Sequence, residues 1–207
     1  MKLTYIVILL VIIMSACAPA EQSLPKGSEI EAFEVENPAY LEGEWLVAQV
    51  DRVVDGDTIV ISQLNLDQVG NSDIVWELAE RESAVRVRFL AVDTPENTKE
   101  KQKFGQESTD LVKDLLEGNE VIIELDPKAL FDNYDRLLGH VFTVEGANVQ
   151  QVLLRNGLAR VAYLFDDYKY VDDYLDAEEA ARSEQLHIHS IEGYVTERGF
   201  NMDVVDK

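Results

Sequence analysis

The segment VDRVVDGDTIVI, residues 50–61, carries the clearest fold signal in the chain. Two runs of β-branched residues flank Asp55, Gly56 and Asp57. An Asp-Gly pair between apolar runs is typical of a β-hairpin, because glycine adopts positive φ freely and aspartate tolerates it. We therefore predict a hairpin that carries two carboxylates at its tip. Two roles stay open for these carboxylates at this point: they shape the turn, or they also bind a charged ligand.

The segments that follow predict further strands and helices. VRVRFLAV (85–92) alternates like a strand and stops at DTPE, since Pro95 cannot continue a hydrogen-bonded ladder. Residues 104–119 carry apolar side chains at helical spacing and end near Gly118. The other predicted elements are strands in EVIIEL (120–125) and RLLGHVFTV (136–144), a helix in VQQVLLRNG (149–157), an extended LARVAYLF (158–165) and an amphipathic helix over 168–186. The order β-β-β-α-β-β-α-α suits a small closed barrel. The polar residues 63–84 are predicted to be an inserted loop with a short helical turn around Val75–Glu80.

The N-terminal residues are typical of an export signal. Met1-Lys2 precedes an apolar run, Leu3–Ile13, which is short for a membrane-spanning helix of about 20 residues. Cys17, the one cysteine of the chain, follows Ser15-Ala16 and excludes an intramolecular disulfide. This arrangement resembles the lipobox of bacterial lipoproteins. The resemblance implies a signal peptide at 1–16, a lipidated Cys17, and a location on the extracellular face of the bacterial membrane or secretion.

The charge of the chain is strongly negative. Forty Asp and Glu against eighteen Lys and Arg give a formal net charge of −22. More than half of the excess lies in residues 27–44 and 166–184, each with a net charge of −6. This composition is unusual for a protein that binds nucleic acid through a basic surface. We interpret residues 17–44 as an acidic linker, followed by one folded domain at 45–190 and a C-terminal tail at 191–207.

Five segments in one order resemble a known family. VDGDTIVI, VRFLAVDTPE, FGQES, NYDRLLGHVF and LLRNGLARVAYLF are similar to the staphylococcal nuclease (thermonuclease) family. The resemblance implies an α+β fold, namely a five-stranded OB-fold β-barrel with three α-helices. It also implies a calcium-dependent endonuclease that hydrolyses DNA and RNA and leaves 3'-phosphate ends.

Three positions are candidates for the metal site. A hard cation such as calcium takes carboxylate, carbonyl and water oxygens. Asp57 and Asp93 supply carboxylates from a predicted hairpin tip and a strand end, and the carbonyl of Thr94 follows. The family resemblance implies that these three are metal ligands, while Asp55 only shapes the hairpin.

Three further residues match the catalytic positions of the family. Glu96, just after Pro95, corresponds to a general base or water-orienting group; a solvent-exposed loop acid is the alternative. Arg88 and Arg136 correspond to the two catalytic arginines, whose planar guanidinium suits two phosphate oxygens at once. Salt bridges to some of the many acidic residues are the alternative for both arginines.

Two tyrosines match positions that contact the nucleotide. Tyr134 and Tyr163 have this role by resemblance, although either could equally be a barrel residue. The chain departs from the family at three positions. Phe165 stands in place of a second contacting tyrosine, Asn133 where a basic residue is common, and Asp135 in place of a glycine before the arginine.

We predict a monomeric nuclease anchored through Cys17, with DNA and RNA as substrates and Ca²⁺ as cofactor. The alternative is a non-catalytic OB-fold lipoprotein module that binds nucleic acid or protein, since OB barrels commonly bind without reaction. The retained set of Asp57, Arg88, Asp93, Thr94, Glu96 and Arg136 favours the enzyme. An acidic scaffold for basic partners would explain the charge but none of the motifs.

Overall fold

Five strands close into a barrel in the computed structural model, which describes residues 44–69, 77–78 and 84–205. They are β1 Glu44–Asp55, β2 Thr58–Val69, β3 Val85–Phe89, β5 Glu120–Leu125 and β6 Leu137–Thr143. Their order around the barrel is β1-β2-β3-β6-β5, and β5 pairs with β1 to close it. Three helices pack on it: α1 Gly105–Leu116, α2 Val149–Arg155 and α3 Val171–Ser183. The predicted five-stranded barrel with three helices is thus confirmed.

One continuous apolar core joins the barrel to the helices. Ile59, Val87 and Ile123 from the strands belong to the same buried cluster as Leu111 of α1 and Leu153 of α2. Each such side chain stabilises the fold by about 1.5–3 kcal/mol when it leaves water. The helical spacing of the apolar residues therefore positions α1 and α2 on the barrel, as the sequence pattern predicts.

The β1–β2 hairpin forms as predicted, but its glycine serves a different purpose. Gly56 does not adopt a positive φ. Instead, a Cβ added there would lie 2.6 Å from the Cβ of Ser108 and 2.8 Å from Oγ1 of Thr94. The glycine therefore allows the hairpin tip to approach α1 and the DTPE segment closely, and the positive-φ argument for this position is wrong.

The predicted loop at 63–84 begins too early. Strand β2 continues to Val69, because the first half of β1 offers it a partner: Leu46 pairs with Val69 and Ala48 with Leu64. Backbone hydrogen bonds extend a hairpin arm without a requirement for apolar side chains. Of the predicted helical turn at Val75–Glu80, Glu77 and Leu78 are described, and both are helical.

Two short antiparallel pairs lie outside the barrel. Strand β4 (Val92–Asp93) pairs with β7 (Arg160–Val161), and β8 (Val195–Thr196) pairs with β9 (Gly199–Phe200). The second pair forms a hairpin within residues 191–205, which the sequence analysis assigns to a tail. Tyr194 at its start is fully buried and donates a hydrogen bond from its hydroxyl to the carbonyl of Lys103 at 2.6 Å. This hairpin is therefore packed against the loop that precedes α1.

The predicted signal peptide at 1–16, Cys17 and nearly all of the acidic linker lie outside the described residues. In the part of the chain that is described, none of the helices has the length and apolar character needed to cross a bilayer.

Candidate active site

The hairpin tip, the end of β3 and the β4 segment bring Asp57, Arg88 and Asp93 together. Arg88 on β3 pairs with Thr58 of β2, next to Asp57. The carbonyl of Asp57 accepts the backbone N–H of Phe89 at 2.8 Å, which fixes the tip against β3. After Phe89 the chain turns through Ala91, at φ 65°, and enters β4. Asp57 and Asp93, which are 36 positions apart in the sequence, thereby lie at one corner of the barrel.

Arg88 lies between the two predicted metal-binding carboxylates. Its Nη2 is 3.0 Å from Oδ2 of Asp57 and 3.5 Å from Oδ1 of Asp93. Its Nη1 donates to the carbonyls of Phe89 and Val92, at 3.1 and 2.9 Å. The guanidinium is buried. Arg88 therefore forms the salt bridges that were the alternative role for this arginine. Its partners are Asp57 and Asp93, the two carboxylates predicted to bind the metal.

Asp57 is held by more than Arg88. Its Oδ1 accepts the hydroxyl of Thr58 at 3.0 Å, and its Oδ2 accepts the backbone N–H of Thr94 at 3.1 Å. The N–H of Asp57 in turn donates to Oδ1 of Asp55 at 3.3 Å. Asp55 therefore shapes the turn, as predicted, and the Thr94 backbone lies beside the Asp57 carboxylate.

Asp93 has a partner that the sequence analysis misses. Arg160 on β7 stands opposite Asp93 in the β4–β7 pair. Its Nη2 and Nε lie 2.9 and 3.0 Å from Oδ2 of Asp93. Tyr163 donates from its hydroxyl to Oδ1 of Asp93 at 3.4 Å, and its ring lies 5.7 Å from Cζ of Arg88. The available signal for Arg160 is a charged residue within the otherwise apolar LARVAYLF segment.

Glu96 is exposed on the loop that follows β4. Its carboxylate accepts the hydroxyl of Thr98 at 3.3 Å, and its backbone exchanges hydrogen bonds with Gln102. A Cβ added to Gly105 would lie 2.3 Å from the Glu96 carbonyl, so the loop passes directly over the start of α1.

Arg88 also lines a cavity of about 410 Å³, which it shares with Arg136, Tyr134 and Tyr163. The ring of Tyr134 lies 5.6 Å from Cζ of Arg136, and Phe165 lies beside Tyr163 with ring centroids 6.3 Å apart. Tyr134 and Phe165 are both more than three-quarters exposed. The cavity thus combines two arginines with solvent-facing aromatic rings.

Arg136 is held by Asp132, a second residue that the sequence analysis misses. Nε of Arg136 lies 2.7 Å from Oδ2 of Asp132, while Oδ1 accepts the backbone N–H groups of Tyr134 and Arg136. Asp135 between them adopts φ 58°, the left-handed region that favours glycine. This backbone conformation suits the glycine that the family resemblance implies at this position.

Asp57 helps to raise the pKa of two neighbouring carboxyl groups, Asp55 and Asp93. Burial, reinforced by Asp57, raises the pKa of Asp55 to about 7. Burial and Asp57 also raise the pKa of Asp93, although Arg160 and Arg88 oppose this. Burial disfavours the charged form of Arg88, yet Asp57 and Asp93 raise its pKa overall. Arg88 and Arg160 therefore compensate only part of the negative charge of Asp55, Asp57 and Asp93.

The donor set fits a hard cation with few protein ligands. Oδ2 of Asp57 and Oδ1 of Asp93 converge on one position, which a nitrogen of Arg88 occupies. Across residues 44–69, 77–78 and 84–205, no group of three or more His, Cys, Asp or Glu side chains is arranged to hold a metal ion. Two carboxylate oxygens match the oxygen chemistry of calcium, and the Thr94 backbone lies beside Asp57 through its N–H group.

A family model described as Staphylococcal nuclease homologue matches residues 86–190, just over half of the chain. The chain belongs to this staphylococcal nuclease homologue family. The membership confirms the resemblance stated from the five sequence segments. The matched region contains Arg88, Asp93, Glu96 and Arg136 of the candidate site, and Asp57 lies upstream of it.

Curated relatives of this nuclease homologue carry endonuclease names. It is 40% identical over 162 residues to the SPbeta prophage-derived endonuclease YokF of Bacillus subtilis (strain 168), covering 76% of this chain and 49% of the relative. It is 38% identical over 156 residues to endonuclease YncB of the same organism, covering 73% and 65%. An uncharacterized endonuclease of Escherichia coli O157:H7 is 33% identical over 120 residues, covering 58% and 61%. The chain thus spans about half to two-thirds of the length of these relatives.

Proposed function

We propose that this chain is a calcium-dependent endonuclease that hydrolyses phosphodiester bonds of DNA and RNA and leaves 3'-phosphate ends. Family membership and the endonuclease names of its relatives support a nuclease. The observation that carries the proposal is the convergence of Asp57, Arg88 and Asp93 beside a cavity that also holds Arg136. We also propose that the enzyme acts as a monomer.

The cation site of the proposal consists of Asp57, Asp93 and the Thr94 carbonyl. Bound calcium would supply positive charge to the phosphate and favour an activated water. Calcium takes roughly six to eight oxygen ligands, so water and substrate phosphate complete its coordination. We therefore expect weak binding of calcium alone and tighter binding with nucleic acid.

The protein residues have separate roles in the proposed hydrolysis. Glu96 accepts a proton from the attacking water, consistent with its exposed position on the loop three residues after Asp93. Water adds to phosphorus, the bond to the 5' oxygen breaks, and that oxygen takes up a proton as it leaves. Arg88 and Arg136 donate to the phosphate oxygens, whose negative charge grows in the transition state. A 3'-phosphate and a 5'-hydroxyl remain.

The aromatic residues suit contact with bases rather than recognition of sequence. Tyr134, Tyr163 and Phe165 present rings at the cavity. Base-aromatic stacking tolerates any sequence because every base has a π face. Such stacking supports activity on both DNA and RNA. Phe165 lacks the hydroxyl of a tyrosine, but its ring keeps a stacking surface.

We further propose that Cys17 is acylated and anchors the enzyme to the outer face of the membrane. The Leu3–Ile13 run followed by Ser15-Ala16-Cys17 supports this. Cys17→Ser should release the protein to the medium or leave an uncleaved precursor. Unchanged membrane association of this variant, with an intact N-terminus, would contradict lipidation.

Asp57→Asn in the full-length protein tests the catalytic proposal. It should abolish calcium-stimulated cleavage of end-labelled DNA and RNA, while Asp51→Asn, an exposed aspartate on β1, should cleave like the wild type. Wild-type products should be substrates for a 3'-phosphatase. Full activity of Asp57→Asn, or products with 3'-hydroxyl ends, would contradict the proposal.

A further inference from the structure

Arg160 is the buried partner of one predicted metal ligand. The β4–β7 pair places it directly across from Asp93, and both Nη2 and Nε lie within 3.0 Å of the same oxygen, Oδ2. Arg160 is 7% exposed. Two charge-assisted donors on one oxygen hold the position of that oxygen.

The other oxygen of Asp93 has longer contacts. Oδ1 lies 3.4 Å from the hydroxyl of Tyr163 and 3.5 Å from Nη2 of Arg88. The second of these contacts is an ion pair at the long end of its range. Asp93 is therefore held firmly through Oδ2 and presents Oδ1 toward Asp57.

Arg160 is in turn covered by the C-terminal hairpin. Its Cζ lies 5.9 Å from the ring centroid of Phe200 on β9, within the range of a cation–π contact. Phe200 packs on Tyr194, with centroids 5.4 Å apart, and Tyr194 is anchored to the carbonyl of Lys103. This hairpin lies beyond residue 190, where the family match ends.

We propose that Arg160 is a positioning residue that holds Asp93 through Oδ2 so that Oδ1 alone meets the cation, and that Phe200 keeps Arg160 in place. The inference rests on the proposed calcium-dependent function. It makes the C-terminal hairpin part of the catalytic apparatus. Partners that orient metal ligands in this way typically change metal affinity or activity 10–100-fold when they are lost.

Arg160 could instead act only through its charge, and the two roles predict opposite results. A neutralising arginine weakens calcium binding, so Arg160→Ala would tighten it and Arg160→Lys would leave it unchanged. A positioning arginine requires two donors on one oxygen. Arg160→Lys keeps the charge but offers one nitrogen, so it should lose the orientation of Asp93.

Calcium titration by calorimetry on the full-length protein separates these roles. We expect Arg160→Lys and Arg160→Ala to weaken calcium binding by about tenfold or more. The kcat should fall comparably while KM for DNA changes little. Phe200→Leu should weaken calcium binding in the same direction by about threefold, since it removes one cation–π contact. Arg155→Ala, which breaks an exposed arginine–glutamate pair between α2 and the end of α3, is the matched control and should bind calcium like the wild type.

Two different failures can be told apart. If wild-type protein neither binds calcium nor cleaves with it, the proposed function fails. If the wild type does both and Arg160→Lys binds calcium as tightly as the wild type, the positioning role is overturned. Should Arg160→Ala not fold, as judged by its thermal melt, Arg160→Lys and Phe200→Leu still decide the question.

Discussion

Nη2 of Arg88 lies 3.0 Å from Oδ2 of Asp57, so a group assigned to the phosphate already neutralises a residue assigned to the metal. The same nitrogen is 3.5 Å from Asp93. A cation that binds the two carboxylates must therefore compete with the guanidinium. Release of Arg88 from Asp57 would leave its donors available for a phosphate.

Arg88→Gln should consequently have opposite effects on binding and catalysis. Without the competing guanidinium, calcium binding in the absence of nucleic acid should tighten. The kcat should fall about a hundredfold or more, as when one preorganised donor is removed from a transition state. Calorimetry and steady-state kinetics measure the two effects, with exposed Arg52→Gln as the control. Weaker calcium binding in Arg88→Gln would refute the competition.

Asp132→Asn tests whether Arg136 needs its carboxylate partner. The amide oxygen can still accept the backbone N–H groups of Tyr134 and Arg136, but the charged contact to Nε is lost. We expect kcat to fall about tenfold, with KM nearly unchanged, because Arg136 would be poorly oriented for the transition state. Asp114→Asn removes an equal charge from the exposed face of α1 and should have no effect. A change confined to KM would assign Arg136 to substrate binding.

Gly105→Ala should disturb Glu96 through the backbone. The new Cβ would lie 2.3 Å from the Glu96 carbonyl, so the loop must move, at a cost of about 1–3 kcal/mol in the free energy of unfolding. The kcat should fall as well. Gly118→Ala is a matched control, since its φ of +76° costs about 1 kcal/mol but nothing lies within 4 Å of the new Cβ. Chemical denaturation and kinetics should show loss of stability in both variants and loss of kcat in Gly105→Ala alone.

We expect the protein to lose stability in mild acid because of the buried His189. Burial, with a smaller effect of Arg182, lowers its pKa from 6.5 to about 4. Glu178 faces it at 3.9 Å from Nε2. Because the unfolded chain takes up the proton first, stability should fall as the pH drops from about 6.5 to 4. The urea concentration at the unfolding midpoint should change less with pH across this range in His189→Gln than in the wild type. An equal slope in both proteins would show that other groups cause the acid sensitivity.

The sequence predicts the barrel well because its signals are local. Strand alternation, helical spacing and the Asp55-Gly56-Asp57 tip each lie within a dozen residues, and all three helices form where their apolar periodicity places them. The reason for Gly56 escapes this reasoning, because its close neighbour Ser108 comes from a helix about 50 residues away. The extension of β2 is missed because its partner strand, and not its own composition, determines its length.

The supporting residues of the site are likewise not visible locally. Arg160 meets Asp93 across 67 residues, and only the β4–β7 register brings them together. The contact of Phe200 with Arg160 depends on a hairpin that has no strong periodicity of its own. Motifs therefore identify the residues that would touch the cation or phosphate, whereas tertiary structure is needed to find what orients them.

The most direct test of the proposed function uses the wild-type, full-length protein. Its cleavage of end-labelled DNA and RNA is measured first with a calcium chelator and then with calcium restored. We expect no cleavage with the chelator, recovery of cleavage when calcium is added, and fragments that end in 3'-phosphate. Undiminished cleavage in the chelator, or none after calcium is restored, would contradict it.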